Sequence, residues 1–234
     1  ACFHVVEPFL ISQMTYQLLH RPRRLRMNST VRSLVEENCL KASDFVLPVF
    51  VCDEEKPSEI ESMPGVFRWP ISDLCEQIKI WYQKGIKAFA LFPKIPLESK
   101  DEKGSAILNP ESLVYRAACE IKNLGLEIIL IADLALDPYT THGQDGILNA
   151  LGEIDNDPTV EILAQASVVC ANAGLDWVAP SDMMDGRIRI IREALEKNSF
   201  HHVGIIAYSA KFSSSYYGPF RSAIGSSIDT VPVD

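Results

Sequence analysis

The sequence predicts an α/β protein whose parallel sheet is an incomplete (β/α)8 TIM barrel. Three observations lead there. Short apolar runs alternate with segments of helical spacing along most of the chain. No Gly-rich turn of the type that cradles nucleotide phosphates follows any of those runs, which weakens an open doubly wound sheet. Polar residues gather just after the apolar runs, at the strand ends where a barrel carries its active site.

The elements follow in order. Phe45 to Cys52 (FVLPVFVC) is continuously apolar, as a buried parallel strand requires. Leu74, Ile78 and Trp81 space a helix over Ser72 to Lys84, which Gly85 ends. Ala88 to Phe92 (AFALF) is the second strand, and Pro110 to Asn123 is a helix with its proline early and Gly125 following. Glu127 to Leu136 (EIILIADLAL) is a third strand, Thr159 to Ala173 a helix stopped by Gly174, and Asp176 to Pro180 (DWVAP) a fourth strand. Gly186 to Lys197 is a helix, and His202 to Ser209 (HVGIIAYS) a fifth strand. Strand starts at Phe45 and His202 imply about 39 residues per unit, at the large end for such barrels. About five of the eight units fit, so the barrel is expected to be incomplete and to leave two unpaired sheet edges. Residues 1–40 read as an N-terminal arm and 41–234 as a partial barrel. Within the arm, Arg21 to Arg26 (RPRRLR) reads as a solvated basic run or as a contact with a neighbouring subunit.

Composition narrows the function classes. Of 234 residues, 47% are hydrophobic and 23% charged, which excludes a disordered, collagen-like or disulfide-scaffold chain. Lys plus Arg number 22 against 31 Asp plus Glu, and the net charge of −9 argues against nucleic acid or a membrane surface as partner. The six cysteines, Cys2, Cys39, Cys52, Cys75, Cys119 and Cys170, are scattered without metal-ligand spacing, as buried thiols in a reducing compartment are. A cytoplasmic protein is therefore expected. No apolar run is long enough for a transmembrane helix. The first residues lack the basic region of a signal peptide, and the chain starts with Ala rather than Met.

Three stretches carry candidate chemistry. In Ala207 to Gly225 (AYSAKFSSSYYGPFRSAIG), Lys211 lies just past an apolar strand among Ser and aromatic residues. Lost hydration there favours the neutral amine, which attacks a ketone or aldehyde to form a Schiff base. Arg221, ten residues on, has the fork that holds a carboxylate. Spacing alone favours an ordinary loop lysine and a structural arginine. In Ile131 to Gly146 (IADLALDPYTTHGQDG), Asp133 and Asp137 share one strand face if the extended backbone continues, and Asp145 and His142 follow. Such a cluster steers protons or binds a hard cation, or it is simply a turn rich in Asp and Gly. In Ala179 to Arg187 (APSDMMDGR), Ser181, Asp182 and Asp185 either contact a polar substrate or cap the next helix, with capping the better reading of Asp185.

Together these motifs resemble one family. RPRRLR, Leu47 to Val51 (LPVFV), Ser62 to Val66 (SMPGV), DLALDPYTTHGQDG, APSDMMDGR and AYSAKFSSSYYGPFR, in that order over Arg21 to Gly225, are similar to the porphobilinogen synthase (5-aminolevulinate dehydratase) family. The resemblance implies a (β/α)8 barrel with an N-terminal arm that embraces a neighbour in a homo-octamer. It implies condensation of two 5-aminolevulinate molecules to porphobilinogen with loss of two waters, in tetrapyrrole and haem biosynthesis. Lys211 matches one of two Schiff-base lysines, Arg221 a substrate-carboxylate arginine and Asp133 an active-site acid. Ser181, Asp137 and Asp145 fall in matched active-site segments. Zinc-dependent members carry three cysteines where this chain has Ala135, Asp137 and Asp145, so no catalytic Zn²⁺ is expected. Stimulation by Mg²⁺ is implied, with its ligand beyond residue 234, as are the second lysine and a C-terminal tyrosine. The chain is thus expected to be a fragment of an ordinary synthase, the alternatives being an inactive relic or a non-catalytic subunit that binds aminolevulinate or a partner.

Overall fold

A computed structural model describes residues 18–212 and 217–225, without the side chains of Arg221 and Ser222. Two compact units divide the chain, Ala1–Leu40 and Lys41–Asp234.

In the first unit the basic run forms a 3-10 helix over Pro22–Arg26, and α1 spans Ser29–Leu34. Asn28 caps α1 by accepting the Val31 N–H through its side chain at 2.9 Å. Neither helix buries a residue, and Leu19, Leu34 and Leu40 stand 94%, 79% and 80% exposed.

The second unit is built on a seven-stranded sheet in the order β2-β3-β1-β4-β5-β6-β7. The strands are β1 (Val46–Cys52), β2 (Ser58–Glu59), β3 (Phe67–Pro70), β4 (Ala88–Pro93), β5 (Ile129–Asp133), β6 (Trp177–Ala179) and β7 (Gly204–Ile205). In the series β1, β4, β5, β6, β7, each of the last four lies beside and parallel to the strand named before it. A doubly wound sheet reverses its strand order at a switch point; from β1 through β4, β5, β6 and β7 this one runs a single way, with the short β3 on the other side of β1.

The intervening helices are α2 (Ile71–Gln83), α3 (Leu113–Lys122), α4 (Asn156–Asn172) and α5 (Arg187–Lys197), followed after β7 by α6 (Tyr217–Ile224). Strand side chains alternate between two faces. Val49 and Val51 of β1, Phe89 and Leu91 of β4, Leu130 and Ala132 of β5 and Val178 of β6 pack with Leu74 and Ile78 of α2, Ala117 and Ile121 of α3, Leu163 and Ala166 of α4 and Ile191 of α5. Fully burying one such Leu or Ile contributes about 1.5–3 kcal/mol. Phe50 and Phe92 project to the opposite face, where Ala223 and Ile224 of α6 cover them. With α2 to α5 on one face and sequential parallel strands, the sheet is a run of (β/α)-barrel units, and it does not close among the described residues.

Several boundaries differ from expectation. The β1 edge is not bare: Phe50, Val51 and Cys52 pair with Arg68, Trp69 and Pro70 of β3. β3 is only four residues long and half-buried, too short to show a period. The third predicted strand stops at Asp133, because the backbone turns at Leu136, whose carbonyl accepts from the Tyr139 and Thr140 N–H groups. The fifth is shortened to Gly204–Ile205, paired only with β6 among the described residues. Gly85 ends α2 as expected: its φ is 97°, and a Cβ there would sit 3.0 Å from the Ala42 Cβ.

Candidate active site

The C-terminal ends of β4, β5, β6 and β7 converge on a cavity of about 320 Å³. Asp133, Asp137, Ser181, Tyr208 and Lys211 supply its polar wall, and Phe92, Phe212, Tyr217 and Phe220 its apolar one. A larger groove of about 820 Å³ lies between α4 and α5 and shares no lining residue with the cavity.

Each polar residue arrives by a different route. Asp133 is the last residue of β5, opposite Ala179 of β6. Ser181 lies two residues past β6, and its Oγ donates to Asp133 Oδ1 at 2.6 Å. Asp137 reaches the cavity through the turn at Leu136, not through strand alternation, and accepts a 3.3 Å hydrogen bond from the Tyr217 hydroxyl. Lys211 lies beyond β7; its Nζ donates to Asp145 Oδ2 at 3.0 Å and to the Ser181 carbonyl, and stands 5.6 Å from the centre of the Tyr217 ring.

Asp145 does not line the cavity; it backs Lys211 from a loop packed onto α4. Gly146 lets that loop approach: a Cβ there would lie 2.5 Å from Ile154 Cγ2. The Ile147 N–H then reaches Thr159 Oγ1 at 2.9 Å. Asp145 Oδ1 is buried with no hydrogen-bond partner among the described residues.

Burial is the main electrostatic cause in the cavity. It pushes the Asp133 carboxyl up to about 7, against the Ser181 hydrogen bond that pulls it down. It also holds Asp137 well above the usual carboxylate range, with Asp145 and Asp133 adding like-charge repulsion. Burial and then Asp137 push the Tyr217 phenol upward, so it stays protonated as the donor. One paired carboxylate, two carboxyls held toward their acid forms and one amine are the parts for adding an amine to a carbonyl and expelling water.

Other candidates fall elsewhere. Asp182 is fully buried, accepts the Met184 N–H at 2.8 Å and lies 3.2 Å from Arg187 Nε; it does not reach the cavity. Asp185 is not the cap of α5. Gly186 is the N-cap, in the left-handed region at φ 77°, and no side chain bonds the helix start, so Asp185 stays outside the first turn. The His142 Nδ1 accepts from the Gln144 N–H and its Nε2 donates to the Glu102 carbonyl, which occupies both nitrogens structurally. Arg221 lies on α6, but its side chain is outside the described residues. The aromatic wall was not singled out from the sequence, although the aromatics of AKFSSSYYGPF were the available signal.

Among the described residues no group of three or more His, Cys, Asp and Glu is arranged to hold a metal, and Asp145 is engaged by the Lys211 amine. The described cysteines, Cys39, Cys52, Cys75, Cys119 and Cys170, are all free thiols, and none lines the cavity. No helix among the described residues is long and apolar enough to cross a membrane.

Residues 19–232 match the family described as delta-aminolevulinic acid dehydratase. A relative of that name in Chlamydia pneumoniae is 44% identical over 213 residues, covering 90% of this chain and 64% of its own length. One in Methanothermus sociabilis is 45% identical over 208 residues, again 64% of the relative. The solved Toxoplasma gondii enzyme, in complex with its product porphobilinogen, superposes with a TM-score of 0.88 at 44% identity, over 92% of this chain and 61% of that one. This chain thus spans somewhat less than two thirds of the length of those proteins. Carrying the lysine and acids of the cavity within a match that runs from the basic arm past α6, the chain belongs to the delta-aminolevulinic acid dehydratase family.

Proposed function

We propose that this chain captures 5-aminolevulinate as an imine on Lys211, as a step in condensing two such molecules to porphobilinogen with loss of two waters. The observation that carries this reading is the Lys211 amine at 3.0 Å from Asp145, at the wall of a cavity that also holds the half-buried Asp133. Asp145 takes a proton from the Lys211 ammonium, and the freed nitrogen pair attacks the keto carbon. The carbonyl oxygen takes a proton from Asp133 and becomes the hydroxyl of a carbinolamine. The nitrogen, which still carries two protons, returns one to Asp133; Asp133 passes it to the hydroxyl, water leaves as the nitrogen pair forms the C=N bond, and the last N–H proton goes back to Asp133. A carboxyl poised near 7 serves as acid and base in successive steps at neutral pH.

This chemistry uses no catalytic zinc, in keeping with Ala135, Asp137 and Asp145 at the positions where zinc-dependent members carry thiols. Mg²⁺ as an allosteric cation remains part of the family reading. Self-association through residues 1–40, up to an octamer, is supported by the exposed Leu19, Leu34 and Leu40 of that unit. The unpaired thiols suit a reducing compartment, which for this chain we take to be the cytoplasm.

Borohydride reduction in the presence of 5-aminolevulinate, read by intact mass and peptide mapping, tests the proposal. One reduced adduct on Lys211 is expected. Absence of any adduct, or an adduct on other lysines alone, overturns it.

A further inference from the structure

Arg187 does not itself line the cavity, yet its side chain joins the two backbone segments that build the contact between Lys211 and Ser181. Nη1 donates to the Met184 carbonyl at 2.8 Å, within the loop that begins with Ser181. Nη2 donates to the Tyr208 carbonyl at 3.1 Å, three residues before Lys211. Nε lies 3.2 Å from Asp182 Oδ2, close enough for an ion pair though not aligned as a hydrogen bond. Asp182 is itself locked, since its Oδ1 accepts the Met184 N–H at 2.8 Å. The carboxylate is completely buried and the arginine side chain 15% exposed, so water competes little for either group.

We propose that Arg187 and Asp182 form a positioning strut for Lys211. The planar fork of one guanidinium fixes the separation of the Ser181 loop and the segment after β7. Those segments bring the Ser181 carbonyl onto the Lys211 amine, and the Ser181 hydroxyl onto Asp133. Neither strut residue contacts a ligand in the cavity. Their effect passes through the backbone, so it falls on the rate at which the bound ketone is attacked rather than on how tightly it is held. A lysine in place of Arg187 keeps a cation beside Asp182 but cannot bond two carbonyls in a fixed plane. This inference rests on the function proposed above.

The test measures the rate of borohydride-trapped adduct on Lys211 against 5-aminolevulinate concentration, with a melting curve for each protein. In Arg187→Lys the trapping rate at saturation is expected to fall about tenfold, since small misplacements of a reacting group are expensive. The half-saturating concentration should stay within about twofold, and the melting temperature within about 3 °C. Asp182→Asn keeps the acceptor for Met184 while removing the charge that orients Nε, and the same pattern is expected. A folded Arg187→Lys that traps at the unsubstituted rate overturns the strut. If Arg187→Lys does not melt cooperatively, Asp182→Asn decides on the same criteria, and if neither folds, both residues are merely structural and the strut is overturned. No adduct in the unsubstituted protein is a separate result: it removes the proposed function, and this inference with it.

Discussion

Ser181 Oγ donates a 2.6 Å hydrogen bond to Asp133 Oδ1 across 48 positions of sequence. The bond stabilises the carboxylate and so opposes the burial that raises it to about 7. Ser181→Ala removes that opposition, and the Asp133 carboxyl rises further. The limb of the trapping rate governed by Asp133 should then move to higher pH. A rate profile over the neutral range checks this; an unmoved limb separates Asp133 from the rate.

Asp133→Asn should stabilise the fold while it slows the chemistry. The folded carboxyl is raised from 3.8 to about 7, so the folded state holds its proton more tightly than the unfolded chain. That contribution is fully present below about pH 4 and is lost as pH rises through about 7. Above neutrality the buried charge costs on the order of 2–4 kcal/mol. Asparagine carries no such charge. Its melting temperature should exceed that of the unsubstituted protein at pH 8 and converge with it toward pH 4, while trapping falls roughly a hundredfold.

Lys211→Met should abolish the adduct and destabilise the site. Asp145 and Lys211 are 14% and 23% exposed, so removing the amine strands a mostly buried carboxylate. The loss should be about 2–3 kcal/mol at neutral pH, less than for a fully buried pair. Urea denaturation at pH 7 checks it.

Gly146→Ala should act on Asp145 through packing. The new methyl meets Ile154 Cγ2 at 2.5 Å and Thr159 Oγ1 at 3.0 Å, a clash that costs about 1–3 kcal/mol. Ile154→Ala removes the nearer atom. The double variant should therefore recover part of the stability and of the trapping rate, giving a coupling of about 0.5 kcal/mol or more. Strictly additive losses would show that the glycine is not there for close approach.

Zinc chelation should leave the trapping rate unchanged, because the cavity offers carboxyls and an amine rather than thiolates. Loss of trapping on chelation, restored by Zn²⁺ alone, would place a zinc ligand set in a site that lacks the cysteines for it.

Leu34→Glu with Leu40→Glu should lower the assembled mass seen by sedimentation if residues 1–40 contact a second copy. Both side chains are largely exposed in their own unit, so the substitutions should leave the monomer's stability within about 0.5 kcal/mol.

The sequence by itself determined the alternation of strands and helices, because apolar period and glycine stops are local signals. It placed β1, β4 and α2 to within about a residue. It also singled out Lys211, Asp133 and Ser181, since each stands at or just past the end of an apolar strand, in a motif that resembles one family. Only the tertiary structure decided which of the neighbouring acids do what. Asp137 enters the cavity by a turn, Asp145 stays behind Lys211, Asp182 turns away to Arg187, and Asp185 caps nothing. The reason is physical: spacing along the chain sets which face a residue starts from, but direction past a strand end depends on turns and on long-range partners. β3 escaped notice for the same reason, a four-residue strand held in place by its pairing with β1 rather than by any pattern of its own.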